Sequence, residues 1–185
     1  MDLFEFLMIL LSIIIGLGLA EILTGTARIL RDGRWAAFSW AHSFAVIVIF
    51  TVLLQVFWES WGLQGIDTWT FPAMLMMLGT PILLFVIAHV LFPSKEQQGD
   101  LGDYYFSRST LIWSLGAATV VVSVMFRPLA FDMPLFVRDN LTSGPALIAC
   151  VLLATINNRK FHNAVLPLVF LTIVWDTLAI SYLIS

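Results

Sequence analysis

Residues 4–34, FEFLMILLSIIIGLGLAEILTGTARILRDGR, constrain the rest of the chain more than any other stretch. The segment opens with roughly twenty residues that are almost wholly apolar. At about 1.5 Å of rise per residue, that is long enough to cross a hydrocarbon core of about 30 Å. It closes on Arg28, Arg31 and Arg34. The positive-inside rule assigns such a cluster to the cytoplasmic side. A chain that begins this way is threaded through lipid, and every later apolar segment takes its direction from this one.

Composition points the same way. The chain has 185 residues, 60% hydrophobic and 11% charged, whereas soluble domains carry about a quarter charged residues. A soluble fold of this size cannot hide so much apolar surface. The net charge of -3, with no basic patch interleaved with aromatics, argues against a nucleic-acid partner. Cys150 is the single cysteine, so no intrachain disulfide and no CxxC pair exists. It falls in an apolar run and reads as a small packing residue. Asp2 and Glu5 stand where a cleaved signal would carry positive charge, so the first helix is expected to be retained.

The hydropathy pattern predicts six transmembrane helices, at about 3–31, 36–60, 71–92, 109–126, 143–158 and 161–184. The expected fold is all-α, a single polytopic bundle over residues 1–185 with no soluble domain. Trp35 and Trp40 flank the second helix at one edge, and Trp58 and Trp61 flank it at the other, as interface belts do. Pro81, after Gly79 and Thr80, should kink or break the third helix. The polar stretch 93–108 reads as a loop, in which Tyr104 and Tyr105 are interface anchors or a docking site. The DMPLFV segment reads as a short dip to the interface. Gly16 and Ala20 form a small-xxx-small pair suited to close helix contact, within the monomer or between copies. In the fourth helix Ser114, Gly116, Ala117 and Ala118 play the same part.

The charges test this topology. Loops assigned to the cytoplasm hold Arg28, Arg31, Arg34, Lys95, Arg108, Arg159 and Lys160, and the opposite loops hold Arg127 and Arg138. This asymmetry puts both termini on the non-cytoplasmic side of what is expected to be a bacterial cytoplasmic membrane.

Ionisable residues inside apolar segments are the candidates for function, because leaving one in hydrocarbon costs a few kcal/mol. Asp176, in the sixth helix, is the sharpest. Arg127, at the end of the fourth helix, is its expected partner, on a stripe with Thr119 and Ser123. Glu59, one turn beyond Gln55, ends the second helix on the same side. These three are expected to form an outer polar cluster. A second set, Glu21, His42 and His89, with His162 at the start of the sixth helix, gathers at the cytoplasmic side. It reads as a proton-accessible vestibule, as interfacial residues, or, for His42 and His89 alone, as axial ligands of a haem b. Otherwise no cofactor or metal is expected. There is no HExxH, Walker loop or GxSxG, and no lysine lies within a helix interior to carry retinal.

Two function classes follow. One is a small channel or secondary transporter for protons or small ions, expected to be homo-oligomeric. The other is a non-catalytic subunit or scaffold of a larger membrane complex. A haem-b-binding membrane protein or a membrane enzyme is the weaker reading.

Overall fold

The structure is a computed structural model, and it describes residues 3–32, 38–66, 69–94, 99–132, 134 and 142–178. These form six α-helices and no strand: α1 Leu3–Arg31, α2 Trp40–Glu59, α3 Phe71–Val90, α4 Leu101–Phe131, α5 Ser143–Thr155 and α6 Arg159–Asp176. A 3₁₀ turn, Ser60–Leu63, extends α2. By length and composition four of the helices can cross a membrane: α1, α2 with its extension, α3 and α4. Large apolar side chains face outward along them, among them Phe6, Ile9, Ile13, Leu17 and Leu54. Such a surface suits lipid and would aggregate in water. Trp40, Trp58 and Trp61 also face outward, near the two ends of α2 and its extension.

The helices run alternately up and down. One end, the arginine end, collects Arg28, His42, His89, Tyr104 and Arg159. Its ties are Arg28 donating to the Pro93 carbonyl, Tyr104 donating to the Val90 and Phe92 carbonyls, and Arg159 paired with Asp103. The other end, the aspartate end, collects Glu59, Arg127, Thr142 and Asp176.

Hydrophobicity does not decide which face of α1 is buried, because both faces are apolar. Phe4, Leu7, Leu11, Ile15 and Ile22 are buried at helical spacing, and equally apolar neighbours face out. In lipid, shape decides. A Cβ at Gly18 would stand 3.2 Å from both Leu53 methyls, and one at Gly25 would run into the Phe92 ring. These two glycines let α2 and the end of α3 come close. The Gly16–Ala20 pair does not serve the monomer: both residues are exposed, and nothing lies within 4 Å of a Cβ built on Gly16. In α4 it is Gly116 that makes the close approach, with Cys150 Sγ 3.3 Å from its would-be Cβ. Gly25→Val is therefore expected to lower stability by about 1–3 kcal/mol through overpacking, and Gly16→Val to change it little. Thermal unfolding of both variants in detergent checks the contrast.

Several boundaries differ from those the pattern predicts. α4 begins eight residues early, at Leu101 instead of 109. Asp100 accounts for this, because its carboxylate accepts the N–H groups of Gly102 at 2.7 Å and Asp103 at 3.2 Å, an N-cap. The polar stretch thus supplies two helical turns whose inner side, Leu101, Gly102 and Tyr105, is buried. α4 also runs past 126, through Pro128, and stops at Asp132, which takes a left-handed φ of 53°. α3 is not broken at Pro81, which is buried within a continuous helix. α6 starts at Arg159, where the Asn158 side chain accepts the N–H groups of Lys160 and Phe161. The expected end of the sixth helix, beyond 178, lies outside the described residues, as do Trp35 and most of the DMPLFV segment. α5 is shorter than expected, 13 residues, or about 20 Å.

Candidate functional site

α2 carries Gln55 and Glu59 on one side, one turn apart. α4 brings Arg127, α5 is preceded by Thr142, and α6 ends in Asp176. These side chains meet at the aspartate end of an open cavity of about 390 Å³ lined by α2 to α6. Asp176 is 7% exposed. Its Oδ2 accepts the Gln55 amide at 2.7 Å, and its Oδ1 accepts the Thr142 hydroxyl at 2.7 Å. The same Gln55 nitrogen donates to Glu59 Oε1 at 2.9 Å. One side-chain amide thus spends both its protons bridging two carboxylates.

Arg127 lines this cavity too, with an Nη atom 4.0 Å from where a Gly62 Cβ would stand. Arg127 and Glu59 each have further interactions of their own. The structure therefore brings Asp176, Arg127 and Glu59 to one cavity, and Thr119 and Ser123 lie on the same wall. Sequence reasoning missed Thr142 and noted Gln55 only for its place beside Glu59. A carboxylate offers about four acceptor positions. The two hydrogen bonds to Asp176 fill about half of them, and the rest can receive a cation or an N–H donor.

Deeper in, the lining becomes apolar: Val48, Val52, Leu84, Val120 and Val169, with Trp113 at the inner end. Thr119, Thr172 and Ser60 also line the wall, but their hydroxyls donate back to carbonyls of their own helices, Leu115, Leu168 and Val56.

The second set of candidates is divided. His89 Nδ1 lies 3.0 Å from Glu21 Oε1, joining α3 to α1 on the outer surface. His42 is buried on another side, with Nε2 2.9 Å from the Leu91 carbonyl and its ring edge-on to Phe92. His42 and His89 thus have separate partners and do not face each other. Among the described residues, no three His, Cys, Asp or Glu side chains converge as a metal site would require.

A third cluster lies at the arginine end. Trp113 Nε1 donates to the Tyr105 hydroxyl at 2.8 Å, and that oxygen lies 2.8 Å from His162 Nδ1. His162 Nε2 lies 3.0 Å from the Ile156 carbonyl. The carbonyl can only accept, so Nε2 carries the proton and Nδ1 accepts from Tyr105. All three side chains are almost wholly buried. Tyr105 is thus no interface anchor, and Tyr104 too bonds inward to carbonyls. The signal available in the sequence was three polar aromatics at one end of neighbouring helices. Arg159, pairing with Asp103, also lies 5.5 Å from the centroid of the Phe106 ring. Among the described residues no buried side-chain nitrogen or oxygen lacks a hydrogen bond.

No protein-family model, no curated protein and no solved structure matches this chain.

Proposed function

We propose that this protein is a small secondary transporter or channel of the membrane, with the cavity between α2 and α6 as its substrate site and Asp176 as the charge the moving species meets. The observation that carries the reading is a carboxylate 7% exposed at the end of an apolar helix, facing an open cavity with acceptor capacity to spare. Intramembrane ionisable residues that face a bundle interior mark ion and substrate paths. α5 and α6 complete a six-span bundle in this reading. The excess of Arg and Lys at the arginine end supports a cytoplasmic position for that end.

Flux tests it. Full-length protein in liposomes should pass protons or small cations down an imposed gradient, read by an internal pH or potential dye. Asp176→Asn, which keeps the shape of the side chain, should reduce the rate to that of empty vesicles while circular dichroism stays unchanged. Equal flux in Asp176→Asn would remove Asp176 from the path. No flux from the unaltered protein, with native mass spectrometry finding it bound in a larger complex, would favour a subunit role.

A further inference from the structure

The chemistry of the cavity narrows what it can hold. Its mouth carries two carboxylates, Asp176 and Glu59, against one guanidinium, Arg127, a formal balance of one negative charge. That end favours a cation. The remaining wall favours an organic cation over a bare inorganic one, because Val52, Val120 and Val169 present methyl groups, and stripping an inorganic ion of water against them costs several kcal/mol. The size is also wrong for a bare ion. A volume of about 390 Å³ is within the range of about 300–1,000 Å³ typical of sites for organic molecules. The lining spans Val48 to Glu59 on α2 and Val165 to Asp176 on α6, about 17 Å along each helix. The cavity is therefore a slot, charged at one end and oily along its length.

We infer that the slot binds a cationic amphiphile, with an ammonium head at Asp176 and Glu59 and an apolar body lying along α2 and α6 toward Trp113. This rests on the proposed function above and names the substrate class of the same site. The ammonium donates N–H bonds to the acceptor positions that Gln55 and Thr142 leave open on Asp176. The apolar body replaces water or lipid against the valine wall.

The test uses the full chain in nanodiscs, with dodecylammonium as the probe and dodecanol, dodecanoate and potassium as comparisons. Binding is read by native mass spectrometry and by the rise in unfolding temperature. Dodecylammonium should bind at least tenfold more tightly than dodecanol or dodecanoate. Asp176→Asn should erase its advantage over dodecanol. Val120→Trp, which fills the slot, should lower dodecylammonium affinity at least tenfold. Val169→Phe serves the same purpose if the tryptophan variant fails to fold. Equal binding of dodecanol and dodecylammonium, or binding unaltered by a folded slot-filling variant, overturns the inference. The two readings fail separately. Asp176-dependent potassium or proton flux without dodecylammonium binding leaves the transporter and removes the amphiphile. Specific binding without any flux leaves the amphiphile site and removes the transporter.

Discussion

Tyr105→Phe should cost this protein about 2–5 kcal/mol. The hydroxyl it removes accepts from Trp113 at 2.8 Å and donates to His162 at 2.8 Å, and all three side chains are at most 2% exposed. Phenylalanine fills the same space and leaves an indole N–H and an imidazole nitrogen buried without partners. Each such orphan costs about 1–3 kcal/mol. Tyr104→Phe, one residue away, is the control. Its hydroxyl bonds two backbone carbonyls at a half-buried position, so its loss should cost about 1 kcal/mol. Unfolding in detergent should separate the two variants clearly. Equal midpoints would mean that the buried network does not hold α4 to α6.

Gln55→Leu should be nearly as damaging, for an electrostatic reason. The amide donates at 2.7 Å to Asp176 and at 2.9 Å to Glu59. Hydrogen bonds to charged groups contribute about 1.5–3 kcal/mol each, so losing both should cost about 3 kcal/mol or more and leaves two like charges facing each other without a bridge. Adding Glu59→Gln to Gln55→Leu removes one charge and should recover part of the loss. A double-mutant cycle on unfolding free energy measures that coupling, which should exceed about 0.5 kcal/mol for groups in one network. Additive effects would show that Gln55 does not mediate between the carboxylates.

The helices and Asp176 were readable in the sequence for one reason: hydrocarbon tolerates few charges, so long apolar runs and the rare carboxylate inside one stand out. The partners of Asp176 were not readable. Arg127 was the expected one on charge, and the nearest bonds come from Gln55 and Thr142. Choosing between them requires the rotation of each helix, and a helix apolar all round, such as α1, does not encode its rotation in its pattern. Gly16 and Gly18 illustrate this, since either could have faced the bundle and only Gly18 does. Tyr105 was misplaced because residues 93–108 are polar enough to read as loop, and the capping by Asp100 that turns part of them into helix is a local hydrogen bond outweighed by that overall polarity.

In the six-span reading proposed above, the shortness of α5 has a consequence for the lipid around it. Its 13 residues measure about 20 Å, against about 30 Å of acyl-chain thickness and about 46 Å for α4 beside it. Such a hydrophobic mismatch is relieved when the surrounding leaflet thins. Thr142 stands directly before α5 and bonds Asp176, so thinning at that end is expected to fall over the carboxylate. A head group waiting there would already have crossed part of the membrane's thickness while still wet.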